Sequence, residues 1–164
     1  MGKKSGISVD LGGGLISFSP LIDCRVIKGC SIKYNFGGNE LTEFLYHLHK
    51  KVDIYKFLID KLEKKYTNIL TAVDGPIIEK MKEVVCYCAL DFEKELKEVQ
   101  NLDYELPDGT NIITKKERII CPEILFNPIL IGRKENNIAK GCYDAIKLCG
   151  STWVYLWKNI YMKI

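Results

Sequence analysis

Tyr104-Glu105-Leu106-Pro107-Asp108-Gly109-Thr110-Asn111-Ile112-Ile113 decides how the rest of the chain reads. Two short runs flank an Asp-Gly pair, and both residues tolerate the positive φ that tight hairpin turns require. The stretch is therefore a β-hairpin signature. Downstream, Glu117-Arg118 leads to apolar Ile119-Ile120. Cys121-Pro122-Glu123 is expected to open a short helix, with Pro near its first position, where no amide is needed. Asn127-Pro128 should stop it. Ile138 to Leu148 reads as a last helix. Upstream, Asp74-Gly75-Pro76 is a turn before a helix start. Ile77 to Val99 then reads as one long helix through Ile78, Met81, Val85, Cys88, Ala89, Phe92 and Leu96.

The opening third reads as strands. Gly6-Ile7-Ser8-Val9-Asp10 ends in an acid and meets Leu11-Gly12-Gly13-Gly14, a run that no regular element tolerates. Leu15 to Ile22 resumes as a strand; Arg25 to Ile27 and Ser31 to Phe36 are two further short stretches. Gly37-Gly38 closes the block. Glu40 to Lys51 is an amphipathic helix with Leu41, Phe44, Leu45 and Leu48 on one face. Val52 to Leu70 reads as a second, Lys-rich helix whose Lys61, Glu63, Lys64 and Lys65 form a solvated face. The tail, Trp153 to Ile164, is unusually aromatic: either a helix against the core or an exposed sticky end.

The 164 residues suffice for one ordinary domain with a real core. Hydrophobic residues at 47% and charged residues at 27% argue against wholesale disorder. A net charge of +3, nearly all from Lys, does not point to nucleic acid. No apolar run reaches the roughly 18 residues of a membrane-spanning helix. Met1 to Gly6 carries neither a signal core nor myristoylation spacing, so a cytoplasmic or nuclear location is expected. None of the seven cysteines forms C-x-x-C, and His47 and His49 stand two apart on a predicted helix. The thiols read as buried and reduced rather than as a metal site.

Together these blocks resemble the actin and actin-related protein family. The carriers are the hairpin with Glu117-Arg118, Cys121-Pro122-Glu123, Leu125-Phe126 and Pro128; Lys82 to Glu93; Gly38-Asn39-Glu40-Leu41-Thr42; and Gly6 to Gly14. They stand in the family's order. The resemblance implies an α/β fold, the actin-like ATPase domain with its ribonuclease H-like twisted sheet and a helical insertion. Residues 1–164 would form one partial domain of the second, C-terminal type. Strands and the phosphate turn would occupy 6–36, the insertion 41–98, the hairpin and closing helices 100–148, and a divergent tail 149–164.

The resemblance also implies a nucleotide site for ATP or ADP with Mg²⁺. A strand ending in an acid, then a glycine turn, lets backbone amides approach phosphate closely. Asp10 would hold a water of the magnesium ion, and Gly12, Gly13 and Gly14 would face phosphate. Gly38 matches the glycine against the nucleoside, and Lys82 and Glu83 match the pair contacting adenine and ribose; without the resemblance that pair reads as a solvated helix face. Gly150 and Ser151 faintly echo the family's Gly-Gly nucleoside loop, as if a helix end and a strand had been deleted. Such a deletion would leave a gap in the sheet.

The turn departs from the family's Asp-Ser-Gly-Asp-Gly. Leu11 replaces the serine, and Gly13 replaces the acid that organises the attacking water. Glycine offers no side chain for that task, so hydrolysis is expected to be lost and nucleotide binding to be weak or lost. The family's first domain would precede Gly6, where only Met1 to Ser5 stand, so a truncated actin-related product is expected. Two functions follow: a nucleotide-binding protein of cytoskeletal or chromatin-remodelling type, or a non-catalytic subunit using the actin surface as scaffold. The expected partners are other actin-family or complex subunits, with self-association, and neither nucleic acid nor membrane.

Overall fold

The computed structural model describes residues 5–49, 74–150 and 156–163. The expected helix Val52 to Leu70 lies outside the described residues, as does most of the aromatic tail before Leu156. The chain divides into two compact units: residues 1–40 with 135–164, and residues 41–134. The hairpin falls inside the second unit.

The first unit is a mixed sheet under a helix. Its strands are β1 (Gly6–Leu11), β2 (Ile16–Ile22), β3 (Arg25–Val26) and β4 (Ile32–Tyr34). β1 and β2 run antiparallel, with Val9 opposite Phe18 and Asp10 opposite Ser17. Alternation gives this sheet two unlike faces. Ile7, Val9, Ile16 and Phe18 are buried on one, while Ser8, Asp10, Ser17 and Ser19 lie on the other. A helix, labelled α5 below (Ile138–Lys147), follows in the closing part of the unit, and its Asn137 cap accepts from the Lys140 amide. Gly141 lets α5 press on β2: a Cβ there would stand 2.5 Å from Phe18 Cζ. Phe18 in turn meets Tyr34 edge-on at 5.0 Å.

The tail overturns the expected gap in the sheet. Ile160–Lys163 forms β7, parallel to β1, with Ile7 opposite Ile160 and Asp10 opposite Lys163. The strand order is β3-β2-β1-β7, so the tail supplies the neighbour that was taken as deleted. Asn159 fastens its entry: its carbonyl accepts from the Ile7 amide at 2.9 Å, and its side-chain amide donates to the Ser5 carbonyl at 2.8 Å.

The units divide within α1 (Gly38–His49), after Glu40. In the second unit, Leu45 of α1 packs with Ile78, Met81 and Val85 of α2 (Asp74–Val85) and with Cys121. Phe44 packs with Ile124 and Ile131. The single long helix expected over Ile77 to Val99 is broken. α2 stops at Val85, and α3 (Phe92–Glu98) starts anew behind an Asp91 cap that accepts from the Lys94 amide. Arg118 enforces the stop: its Nε donates to the Val85 carbonyl at 3.0 Å and its Nη1 to the Gln100 carbonyl at 3.2 Å.

The hairpin forms from β5 (Leu102–Glu105) and β6 (Asn111–Thr114), antiparallel as its Asp-Gly pair requires. The Asp108 carboxylate accepts from the Thr110 amide at 2.9 Å. The following helix, α4, runs Glu117–Glu123, so Pro122 lies near its end rather than at its start. Proline there deprives the Arg118 carbonyl of its helical donor. The Tyr87 amide takes that place at 3.1 Å, which is how the sequence tolerates the proline.

Candidate functional site

The glycine turn is built as an extension of the β1–β2 hairpin. Gly12 donates to the Leu15 carbonyl at 3.0 Å, which closes the turn beyond the last strand pair, Leu11 with Ile16. The turn then docks on the start of α1. The Gly38 amide donates to the Gly12 carbonyl at 3.0 Å, and the Asn39 amide to the Gly13 carbonyl at 2.7 Å. Gly37 makes this approach possible, because the Gly12 carbonyl oxygen occupies the place that a Cβ on Gly37 would take. The Gly37 amide donates to Glu40 Oε2 at 2.9 Å, half of a capping box that fixes the helix start.

The structure therefore brings Gly12, Gly13, Gly14 and Gly38 together, but in an order of bonds that the sequence did not reveal. The first amides of α1 are already donors to the turn. The amides of Gly13 and Gly14 donate to no described residue, and both glycines are exposed. Asn39, which the sequence reading did not single out, lies against the turn; its Oδ1 would stand 3.0 Å from a Cβ on Gly13. Its signal was its place just inside the helix that Gly37-Gly38 begins.

Asp10 is exposed near the end of β1. Its in-register neighbour on β7 is Lys163, which the reading of the tail as a sticky end concealed. No group of three or more acid, His or Cys side chains among the described residues is placed to hold a metal ion.

Lys82 and Glu83 lie in the second unit, on α2. They diverge, as neighbours on a helix must. Lys82 is half-buried and donates from Nζ to Thr42 Oγ1 at 2.9 Å. Glu83 is exposed and pairs with Lys80 at 3.5 Å. Gly150 follows the C-terminal turn of α5 with φ of 61° and precedes β7. Ser151 lies outside the described residues.

The thiols are not the buried set expected: Cys30 and Cys121 are buried, Cys86, Cys142 and Cys149 are half-buried, and Cys24 and Cys88 are exposed. A hydrogen bond with Cys86, then burial, hold the Cys121 thiol well above its ordinary range. Burial, then Cys30, push Cys149 up to about 12. Neither is an activated nucleophile. Among the described residues no helix is long and apolar enough to cross a membrane.

Comparison with known proteins agrees with these features. The sequence model of the family described as Actin matches residues 1–164. The chain is 30% identical over 154 residues to Actin-like protein 7B of Rattus norvegicus, a match covering 92% of this chain and 34% of that protein. The Mus musculus Actin-like protein 7B matches over the same extent at the same identity. The chain thus spans about a third of the length of these relatives. With its mixed α/β fold and the family match along its whole length, the chain belongs to the actin family.

Proposed function

We propose that this chain is a non-hydrolysing actin-family interaction subunit with a residual, weak phosphate-binding turn. The observation that carries the reading is the docking of the turn: Gly38 and Asn39 spend their amides on the Gly12 and Gly13 carbonyls. Two amides remain. At about 1.5–3 kcal/mol for each hydrogen bond to a charged group, they give about 3–6 kcal/mol. That corresponds to a dissociation constant for ATP or ADP with Mg²⁺ between about 40 μM and 6 mM. Gly13 supplies no side chain to orient a water, so phosphoryl transfer lacks its organiser.

The same reading takes the sheet of the first unit as the family's ribonuclease H-like sheet and residues 41–98 as its helical insertion. Residues 100–148 are then the hairpin and closing helices, and 149–164 the divergent tail. The partners are other actin-family or complex subunits, in the cytoplasmic cytoskeleton or the nucleus. Self-association is part of this reading: β7 ends the sheet, and its Ile160 and Met162 are about half exposed. The alternative is an actin-related protein that turns over ATP in a cytoskeletal or chromatin-remodelling role. The resemblance at Gly38, Lys82 and Glu83 favours it.

Calorimetry with ATP-Mg, paired with phosphate release with and without added actin, separates the two. Weak binding and background release are expected. A micromolar dissociation constant, or release that disappears in Asp10→Ala, overturns the proposal.

A further inference from the structure

A cavity of about 530 Å³ lies in the first unit, lined by Tyr143, Ile146, Lys147, Gly150 and Trp157. We propose that it is a binding site for a small, uncharged, flat aromatic molecule. The volume lies within the range of small-molecule sites. Tyr143, Ile146 and Lys147 are spaced to share one face of α5, and fully buried Ile146 gives an apolar floor. Tyr143 and Trp157 stand with ring centroids 5.8 Å apart, tilted by 47°. Both rings are about 40% exposed, an unusual state for large aromatics in one patch. Gly150 also lines the cavity, at φ of 61°, with no described residue within 4 Å of where its Cβ would stand.

The local charges select an uncharged ligand. Lys140 is already paired with Asp144 at 2.6 Å, and its ammonium lies 4.7 Å from the Tyr143 ring centroid. Among the described lining residues the charge is that of Lys147, in the last turn of α5, where the negative end of the helix dipole offsets it. An anion drawn to Lys147 is repelled by the helix end, and a cation drawn to the helix end is repelled by Lys147. A neutral ring meets only the aromatic edges, whose offset and edge-on contacts favour it.

The test uses the full chain and N-phenyl-1-naphthylamine, a neutral fluorophore, with excitation through tryptophan. Saturable binding at one probe per chain is expected. Trp157→Ala and Tyr143→Ala should each weaken it by about fivefold, the equivalent of one aromatic contact. Gly150→Asn tests the same wall without removing a ring, because asparagine tolerates this backbone and adds a polar side chain to a lining residue; it should weaken binding similarly. Lys147→Gln should leave the affinity within about twofold, as an uncharged ligand demands. Non-saturable binding, indifference to all three wall variants, or an anionic naphthalene sulfonate binding more tightly through Lys147 would each overturn the proposal. So would sedimentation showing that probe is released as chains pair, because the cavity would then receive a second copy.

Discussion

Replacing Gly37 with alanine should detach the glycine turn from α1. Gly37 is not in the left-handed region, so alanine meets no backbone strain there. The cost is steric. The new Cβ would fall on the Gly12 carbonyl oxygen and stand 2.8 Å from that of Gly13. Both obstacles are backbone, so the turn itself must move. Movement breaks the bonds at 3.0 and 2.7 Å from Gly38 and Asn39. At about 1 kcal/mol each, plus some cost for burying the freed groups, the loss is about 2–3 kcal/mol. With a urea slope of about 1–3 kcal/mol/M, the midpoint should fall by about 1–2 M. Trp153 and Trp157 both belong to the first unit, so tryptophan fluorescence follows the relevant transition. Gly14→Ala is the control. Its Cβ meets only Asn39 Nδ2 at 3.8 Å, an ordinary contact, and should cost under about 0.5 kcal/mol. If Gly37→Ala melts like Gly14→Ala, the docking of the turn is wrong, and with it the account of the spent amides.

Met81 is fully buried among Leu45, Ile78, Val85 and Cys121, so Met81→Ala should destabilise the second unit by about 2–5 kcal/mol in denaturant melts. Arg118→Lys should lose about 1–2 kcal/mol by the same measurement, since one ammonium cannot reproduce the fork that serves both Val85 and Gln100 while facing Tyr87. Cys149, held up to about 12, keeps its proton in the fold while an unfolded thiol ionises near 9. Its contribution is therefore present below pH 9 and lost as pH rises toward 12, and Cys149→Ala should flatten the fall in urea midpoint across that window. Asp108 runs the other way: the Thr110 amide holds its carboxyl below the ordinary range, so its contribution is present above that range and is lost on acidification. Asp108→Asn should blunt that acid dependence of hairpin amide exchange.

What was legible was local. The hairpin formed where Asp108-Gly109 marks it, though in a longer loop: the Gly109 amide donates to the Leu106 carbonyl, so Pro107 and Asp108 are the central pair and Gly109, at φ of 82°, takes the positive φ. The break after Val85 was not legible, because the apolar spacing of Cys88, Ala89 and Phe92 runs on past it. The group that ends the helix, Arg118, lies 33 residues away. The same holds for Lys82, whose partner Thr42 is 40 residues distant. β7 failed as a reading for a related reason. Ile160 to Lys163 has no alternation of its own to announce a strand, and only the parallel edge of β1 gives it one. Glycines revealed that a turn exists at Gly12 to Gly14, and not which amides it consumes.

The register of β7 bears directly on the ion that the family resemblance assigns to Asp10. In-register residues of neighbouring strands stand about 4.8 Å apart and share a face. Lys163 therefore shares a face with Asp10, the carboxylate that the resemblance assigns to magnesium. Near a protein surface the repulsion between its charge and the ion amounts to about 1 kcal/mol or more. A carboxylate that holds a hydrated ion only through water gains little more, so the two effects nearly cancel. ATP should then bind almost as well without magnesium as with it, within about twofold by calorimetry. Lys163→Ser removes the competing charge and should restore a magnesium dependence of about fivefold, the equivalent of that repulsion. If the native chain already shows a tenfold preference for ATP-Mg, then Lys163 does not oppose the ion, and Asp10 acts as the resemblance implies.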